Sequence, residues 1–576
     1  QGFKGCSFLF RASLFRGFAT SMAFRLANLF SLAAAVIVEH PPQLPGAWKV
    51  AGPAPPAQQL ELTFALKQQN LARLEEVFWQ VSEPTSSEYG QHWTNEALNQ
   101  LTAPRPEDSE RVLRFLQGFG VTGTAASPNG DFIVATVPVE VADRMLNASY
   151  VRLTHPSGHE LLRAPEGYSL PPEVAEAVDF VAPTVHVPGV RRKALQADPN
   201  STILGSNSPK NLRSLYNIGS AEGKAATNRM AVTAFLEQGY SERSLEAFWK
   251  LFCGGITCGK GLPKLIGDYV AGHAGVESML DIETITGVAG NVEAEFWGFA
   301  GRSKDNPQNE PFLKWLTTLS STGDKDVPKV FSTSYGEDEG SWSYQAAQRL
   351  NVEFQKAGAR GISLLYASGD EGANCKGEKF VPEGPGSSPF VTAVGGTAPG
   401  KSWPKPGSQA EKAIGLSSGG FSNYWPMPEY QKKAVQAYLK SSGLPPTSRG
   451  YNVTGRAYPD ISAQATNFFV IAGLPMPGVS GTSCASPTAA GVVSLLNDLR
   501  LQKNASTLGF LNPLIYSHLS AFNDITEGSS FSDCGEGWPA LPGWDAVTGA
   551  GTPDYQRLAE VVRSLPSVNA PAAIVV

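Results

Sequence analysis

The second part of the chain alternates short apolar runs with helical patterns, and this alternation restricts the possible fold more than any other feature. Three of the runs are typical of buried strands, namely KVFSTSYG, GISLLYASGD and PFVTAVGGT. Between the first two, apolar residues recur at helical spacing, at Ala346, Leu350, Phe354 and Ala357. Strands that alternate with helices predict an α/β fold built on a mostly parallel sheet.

Functional residues in such sheets collect where strands end and loops begin. Three segments of the chain have this position: Ser334-Tyr335-Gly336, Gly369-Asp370 and the loop before Ser483. They are therefore the first candidates for a functional site.

A smaller α+β unit is predicted from about residue 60 to 190. LTFALKQQNLARLEEVFWQVS predicts a strand and then an amphipathic helix, and DFIVATVPVEVADRMLN predicts strand, turn and helix. One helical stripe is formed by Leu71, Leu74, Val77 and Phe78.

An exposed linker is predicted between Pro183 and Pro209, where Pro, Gly, Asn and Ser surround Arg191-Arg192-Lys193. At 576 residues the chain is too long for one compact core. We predict a leader over 1–38, an α+β domain with its linker over 39–196, and an α/β domain over 197–576.

The leader carries a signal-peptide pattern from Met22 to Val38, with one early Arg, an apolar run and a stop at Glu39-His40-Pro41-Pro42. A membrane anchor is the alternative, but a run this short that ends in an acid and prolines is a poor span. Residues 1–21 are interpreted as upstream sequence without a role in the fold. A protein that enters the secretory pathway can be glycosylated at Asn-x-Ser/Thr sequons. The chain has such sequons at Asn147, Asn200, Asn452 and Asn504.

The charge balance argues against a nucleic-acid surface. The 46 basic and 52 acidic residues give a formal net charge of -6, and the basic residues are dispersed except for Arg191-Arg192-Lys193. We expect neither nucleic acid nor a stable membrane anchor among the partners.

Ser483 follows an apolar stretch, in Ser480-Gly481-Thr482-Ser483, and precedes a predicted helix. That helix shows one apolar face, formed by Ala489, Val492, Val493, Leu496 and Leu499. A helix N-terminus offers unpaired N–H groups and a dipole that favour an oxyanion. A plain helix cap is the alternative, but the flanking glycine, small residues and Pro487 argue against it. The run resembles the nucleophile loop of subtilisin-like peptidases.

A peptidase of that kind would use a histidine base. Only His273 and His518 lie in the second part, and neither has the expected sequence setting. Glu277 and Asp281 lie four residues apart, so a helix brings both carboxylates to one face, where they could share a proton. A solvated acidic face is the alternative interpretation, and the apolar neighbours argue against it; they are Val276, Met279, Leu280, Ile282 and Ile285.

Asp370 follows an apolar strand, at the edge where a parallel sheet presents functional residues. The alternative interpretation is that Asp370 is simply a turn residue.

Glu277-x-x-x-Asp281, Ala367-Ser368-Gly369-Asp370 and Ser480-Gly481-Thr482-Ser483 together resemble the sedolisin family of serine-carboxyl peptidases, and they occur in that family's order. Further similar stretches are EPFLKWL, SYGEDE, GGFSNYWPMPEYQ, TGRAYPDISA, LGFLNP and PGWDAVTGAGTP. The likeness runs from about 210 to 556, and residues 60–190 more weakly resemble the family's activation domain. It implies a subtilisin-like catalytic domain preceded by a removable prodomain that acts as inhibitor and chaperone.

The resemblance also implies a role for each motif residue. Ser483 would be the nucleophile, Glu277 the general base and later acid, Asp281 the group that orients Glu277, and Asp370 the oxyanion-hole donor. A carboxylate base works in acid, and a protonated Asp370 can donate a hydrogen bond, so both roles point to an acidic compartment.

One structural Ca²⁺ is implied by the same family. Asp524, Ile525, Leu541, Gly543 and Asp545 match its site, with two carboxylates and backbone carbonyls as hard oxygen ligands. Leu541 departs from the glycine of the related sequence, which affects little because its ligand would be a carbonyl. Two turn aspartates are the alternative.

Five cysteines follow the leader, so at least one is unpaired. Cys375 and Cys534 match a disulfide of the family, Cys253 and Cys258 could close a local loop, and Cys484 would remain free. A cysteine peptidase based on Cys484 is disfavoured because no histidine accompanies it.

The sequence thus predicts a self-processing acid peptidase of the secretory pathway, lysosomal, vacuolar or extracellular, that acts on peptides or unfolded proteins. The resemblance favours release of tripeptides from free N-termini. An endopeptidase of the same family is the first alternative, and an inactive binding protein on a peptidase scaffold is the second.

Overall fold

The protein is described here by a computed structural model. It describes residues 35–42, 44, 47–156, 158, 160–187, 206–235, 238–268, 274–299, 311–407 and 409–566. Most of the predicted leader, the basic triplet at 191–193, Asn200 and His273 lie outside these described residues.

Up to residue 187 the chain forms a small α+β unit. Its strands are β1 (Val36–Ile37), β2 (Lys49–Pro53), β3 (Gln59–Leu66), β4 (Thr124–Ala125), β5 (Phe132–Pro138), β6 (Val151–Thr154), β7 (Glu160–Arg163), β8 (Ser169–Leu170) and β9 (Val178–Ala182). Its helices are α1 (Leu71–Ser82), α2 (Asn95–Thr102), α3 (Pro106–Gly118), α4 (Val139–Leu146) and α5 (Pro172–Ala175).

The core of this unit lies on an antiparallel sheet with the strand order β4-β5-β3-β9. Both predicted strand–helix pairs are present, as β3–α1 and β5–α4, although α4 begins directly after β5 without the predicted turn. Leu74, Val77 and Phe78 are buried as predicted. Leu71, the first residue of α1, is instead 40% exposed, because the buried contact begins one turn later at Leu74.

From residue 206 onward the chain forms a larger α/β unit. Its helices are α6 (Pro209–Leu215), α7 (Glu242–Phe252), α8 (Val276–Ala289), α9 (Pro311–Ser321), α10 (Tyr344–Ala359), α11 (Lys432–Leu439), α12 (Thr482–Leu501), α13 (Asn512–Ser517) and α14 (Tyr555–Ser564). Its strands are β10 (Arg229–Ala234), β11 (Lys264–Ile266), β12 (Glu293–Gly298), β13 (Val330–Thr333), β14 (Glu337–Asp338), β15 (Ser363–Ala367), β16 (Cys375–Lys376), β17 (Lys379–Phe380), β18 (Glu383–Gly384), β19 (Thr392–Pro399), β20 (Glu411–Ala413), β21 (Gly420–Pro426), β22 (Gly455–Tyr458), β23 (Ile461–Gln464), β24 (Phe468–Ala472), β25 (Leu474–Val479), β26 (Phe522–Asn523) and β27 (Thr552–Pro553).

The central sheet has the order β11-β12-β10-β13-β15-β19-β20, and β23 also pairs with β19. All of these pairs are parallel except β19 with β20. The three predicted strands are β13, β15 and β19, and the helix between the first two is α10, whose four predicted core residues are all buried. The alternation in the sequence therefore predicted this sheet correctly.

Helices α8 and α12 pack closely against each other beside the sheet. A side chain at Gly491 of α12 would come within 2.9 Å of Val288 of α8, so the small residue permits the approach. Because α8 runs from the carboxyl end of β11 to the start of β12, its first turn lies at the carboxyl edge of the parallel strands. This edge carries the candidate site.

The two units meet through a buried group of ionic side chains. Arg349 of α10 lies 2.8 Å from Asp131, which belongs to the smaller unit, and also pairs with Glu353. Lys356 lies 3.0 Å from Glu353. The positive charges of Lys356 and Arg349 outweigh the desolvation of Asp131, so the pKa of this carboxyl is lowered.

Two disulfides join Cys253 to Cys258 and Cys375 to Cys534, with Cα atoms 5.8 and 6.1 Å apart. Cys484 is free and buried, so the predicted assignment of these five cysteines is confirmed. Within the described ranges no helix is both long and apolar enough to cross a bilayer.

Candidate active site

Ser483 is the second residue of α12 and is 1% exposed. The helix begins after Gly481, whose φ of 158° is close to extended backbone. All five residues of the predicted apolar face lie on α12, and four of them are buried. The hydroxyl therefore lies beside the unpaired N–H groups at the start of a helix, where a developing negative charge is stabilised.

Glu277 and Asp281 lie on the first turns of α8, and both are withdrawn from solvent, with exposures of 7% and 0%. Every residue from Glu277 to Ala289 is buried. The alternative interpretation, a solvated acidic face, is therefore wrong. Burial of two carboxyl groups on one helix face is costly unless their protons and hydrogen bonds are arranged for it.

Asp281 accepts a hydrogen bond from a residue at the end of β13. Ser334, the first residue after β13, donates its hydroxyl to Asp281 Oδ1 at 2.7 Å. Ser334 is completely buried. The predicted segment Ser334-Tyr335-Gly336 therefore contributes to the candidate site through Ser334, which holds the Asp281 carboxyl group.

Asp370 follows β15 at the same edge and contacts the start of α12. The Thr482 backbone N–H donates to Asp370 Oδ1 at 2.6 Å, and the Thr482 hydroxyl lies 2.8 Å from the same oxygen. Asp370 is thus tied to the residue immediately before Ser483. A simple turn aspartate would not need this partner 112 positions away in the sequence.

The free thiol of Cys484 shows that these acids converge. Burial raises its pKa well above the ordinary value, and the negative charges of Asp370, Glu277 and Asp281 raise it further. Because such interactions weaken with distance, all three carboxylates lie near the residue that follows Ser483. A thiol that resists ionisation is also a poor nucleophile, which argues against the cysteine-peptidase alternative.

Histidine does not take part in this cluster within the described residues. His518 lies at the end of α13, where its Nδ1 is 2.9 Å from Ser517 Oγ and 3.1 Å from the Leu514 carbonyl. His273 lies outside the described residues. Among the residues that the structure describes, the groups that could move a proton to or from Ser483 are therefore carboxyl groups.

The loop after Tyr335 carries three acids, and each has a different environment. Glu339 is buried and accepts hydrogen bonds from Ser387, Ser422 and the backbone of residues 423 and 424. Asp338 pairs with Lys376 and accepts from Asn374. Glu337 lies 2.8 Å from Nε2 of His186, whose ring stacks on Trp342 with centroids 3.8 Å apart.

His186 belongs to the smaller unit, so the end of that unit covers this loop. Its carbonyl accepts a hydrogen bond of 2.6 Å from the buried guanidinium of Arg163. The Glu337 contact is one point at which the smaller unit touches the loop that follows β13.

Glu383 is a functional-site neighbour that the sequence reasoning missed. Its carboxyl packs directly behind Gly369, where an added Cβ would lie 1.9 Å from Oε2, and it accepts the Ser418 hydroxyl at 2.7 Å. Burial raises its pKa to about 8, and the negative charges of Asp338, Asp370 and Glu371 add to the rise. Residue 383 follows a short loop rather than an apolar pattern, so no periodic signal indicated its burial.

The predicted calcium ligands lie around one turn. Gly543 N–H donates to Asp524 Oδ2 at 2.9 Å, and Leu541 N–H donates to Asp545 Oδ2 at 3.1 Å. Asp524 Oδ1 is buried and has no hydrogen-bond partner among the described residues. Ile525 is fully buried beside it.

A cavity of about 510 Å³ adjoins Asp524 and Gly543. Among the described residues no cluster of three or more His, Cys, Asp or Glu side chains is found. A calcium site that relies on two carboxylates and backbone carbonyls would not form such a cluster. The orphaned Asp524 oxygen and the hard donor set fit a Ca²⁺ ion.

Comparison with known proteins agrees with this architecture. The family described as "Pro-kumamolisin, activation domain" matches residues 46–187, and the subtilase family matches residues 267–509. A solved structure of Pseudomonas sedolisin, a serine-carboxyl proteinase, superposes with a TM-score of 0.50 at 24% identity, over 62% of this chain and 98% of that chain. This similarity shows the fold.

Among curated proteins, tripeptidyl-peptidase 1 of Mus musculus is 38% identical over 89% of this chain and 93% of its own length. The human protein of the same name is 36% identical over the same shares. The chain has a subtilisin-like catalytic domain preceded by an activation prodomain, and it is a serine-type peptidase. It belongs to the sedolisin family of serine-carboxyl peptidases, as a relative of tripeptidyl-peptidase 1.

Proposed function

We propose that the mature protein releases tripeptides from the free N-termini of peptides and unfolded proteins at acid pH. The observation that carries the proposal is the convergence of Glu277, Asp281 and Asp370 on the first turn of the helix that bears Ser483. The names of the curated relatives support the tripeptidyl specificity.

In this proposal Glu277 removes the proton of the Ser483 hydroxyl as the oxygen attacks the scissile carbonyl carbon. The proton then passes from Glu277 to the leaving amine, which leaves an acyl-enzyme ester on Ser483. Water attacks the ester with Glu277 again as base, and the proton returns to Ser483. Asp281, held by Ser334, orients Glu277.

Asp370 is the proposed oxyanion donor. A tetrahedral intermediate carries its negative charge on the former carbonyl oxygen, and a protonated carboxyl can donate a hydrogen bond to it. The base must be ionised while the donor must be protonated, so the reaction needs acid. An acidic compartment of the secretory pathway, such as a lysosome or vacuole, meets this requirement.

Glu337 is the proposed acceptor of the substrate's terminal ammonium group. Glu339 is saturated by internal hydrogen bonds, and Asp338 is paired with Lys376. Glu337 contacts Nε2 of His186 in the prodomain. When the prodomain leaves, the ammonium group of the substrate can take the place of this ring nitrogen. An endopeptidase would not need this acceptor.

Acetylation of the substrate tests this assignment. It removes the ammonium charge and leaves the Glu337 carboxylate without this partner in the complex, which costs about 1–3 kcal/mol. We expect kcat/KM for a peptide with a free N-terminus to exceed that of its acetylated form at least about tenfold, since about 1.4 kcal/mol corresponds to that factor. Mass spectrometry should detect tripeptides among the products. In Glu337→Gln, the ratio of kcat/KM between the free and the acetylated peptide should be smaller than in the wild type. Equal rates with internal cuts would support the endopeptidase.

The prodomain is proposed to inhibit the enzyme through the cover formed by His186 over the Glu337 loop. The boundaries of the leader (1–38), the prodomain with its linker (39–196) and the catalytic domain (197–576) are part of the proposal. A single Ca²⁺ held by Asp524, Asp545 and the carbonyls of Ile525, Leu541 and Gly543 would stabilise the loops around it rather than take part in the reaction.

A further inference from the structure

Thr482, the residue before the proposed nucleophile, makes two contacts to a single oxygen of Asp370. Its backbone N–H donates to Oδ1 at 2.6 Å, and its hydroxyl lies 2.8 Å from the same oxygen. Thr482 is 1% exposed, whereas Asp370 is partly buried.

The position of the hydroxyl proton follows from the groups around it. Gly369 N–H lies 3.1 Å from Thr482 Oγ1 and can only donate to it. The Gly369 carbonyl oxygen is also 3.1 Å away, but it already accepts the Ser418 N–H at 3.0 Å. The shorter contact is that to Asp370, so the Thr482 hydroxyl donates to Oδ1.

We propose that Thr482 is a positioning residue that assigns the acidic proton of Asp370 to Oδ2. An oxygen that accepts two hydrogen bonds is not the one that carries the proton of a neutral carboxyl group. Protonated Asp370 therefore donates through Oδ2, and Thr482 fixes the orientation of that donor. The inference rests on the proposed role of Asp370 as oxyanion donor.

The test compares Thr482→Val, Thr482→Ala and Thr482→Ser with the wild type. Each full-length proenzyme is matured by the same immobilised wild-type enzyme, which is then removed. The Val and Ala variants should lower kcat about tenfold and change KM less than about twofold. Thr482→Ser keeps the hydroxyl group and should restore kcat to within about twofold of the wild type.

This combination distinguishes positioning from structural damage, because damage to the site would also change KM and would not be reversed by Ser. The inference is overturned if the hydroxyl-free variants keep the wild-type kcat, or if Ser behaves as Val does. Thermal unfolding is measured for each variant to show that it folds. If Thr482→Val does not fold, Thr482→Ala serves as the hydroxyl-free variant. Asp370→Ala tests the proposed role of Asp370 separately from that of Thr482. If kcat of Asp370→Ala falls less than about tenfold, Asp370 is not the oxyanion donor, whatever the Thr482 variants show.

Discussion

Glu383 provides a prediction for stability against pH that can be worked out from the structure. Burial raises its pKa from 4.5 to about 8, whereas the unfolded chain ionises near the ordinary value. Between these limits the folded state binds more protons than the unfolded state, so the free energy of unfolding falls as pH rises. From pH 5 to 7 the loss is about 3 kcal/mol, at about 1.36 kcal/mol per pH unit.

Glu383→Gln removes this titration and keeps the shape of the side chain. The comparison is made in a Ser483→Ala proenzyme, which prevents self-digestion. With an unfolding entropy of about 2.1 cal/mol/K per residue, about 3 kcal/mol corresponds to about 2–3 °C in Tm for a chain of this size. The Gln variant should therefore lose about 2–3 °C less than its parent between pH 5 and 7.

Differential scanning calorimetry at the two pH values measures this difference. Glu560→Gln, on the exposed side of α14, is the matched control and should behave as the parent does. If the parent and Glu383→Gln lose the same Tm between pH 5 and 7, the buried neutral carboxyl behind Gly369 is not present.

Two further predictions concern maturation and calcium. Acid should convert the proenzyme to a shorter form, whereas purified Ser483→Ala should stay long; equal maturation of both without another protease would exclude self-processing. A strong chelator or Asp545→Ala should lower Tm, because an ion that binds only the folded state stabilises it. An unchanged Tm after complete removal of Ca²⁺ would argue against the site.

If acid releases the prodomain, as the proposal states, the ionic contact between the units limits where this release can begin. The pKa of Asp131 is lowered, so its pairing with Arg349 persists in moderate acid. Release in acid therefore has to begin at contacts other than the Asp131 pair.

Much of the fold was predictable because its signals are local. The strands β13, β15 and β19 and the helix α10 follow from apolar runs and helical spacing within single segments. The burial of α8 was likewise predictable, since apolar residues surround Glu277 and Asp281 on both sides. Leu71 was the exception. Its spacing places it on the apolar face of α1, but the spacing does not tell at which residue that face begins to pack against the rest of the protein.

The finer parts of the site were not predictable, because they join residues far apart in the chain. Ser334 and Asp281 are 53 positions apart, Asp370 and Thr482 are 112 apart, and His186 and Glu337 are 151 apart. Only the folded sheet edge brings these pairs together. Glu383 has no sequence signal at all, since its burial results from the turn at Gly369 folding over it.

The central claim is that carboxyl groups replace histidine in activating Ser483, and the dependence of kcat/KM on pH tests it most directly. Wild type, Glu277→Gln and the matched control Glu283→Gln are matured by immobilised wild-type enzyme and assayed on a peptide with a free N-terminus. Glu283 lies on the same helix but accepts the Ile471 N–H instead of facing the cluster. We predict an optimum clearly below neutrality for wild type and control, and loss of at least about a hundredfold for Glu277→Gln. A mature enzyme fastest near pH 8, or a Glu277→Gln variant as active as the control, would contradict the account.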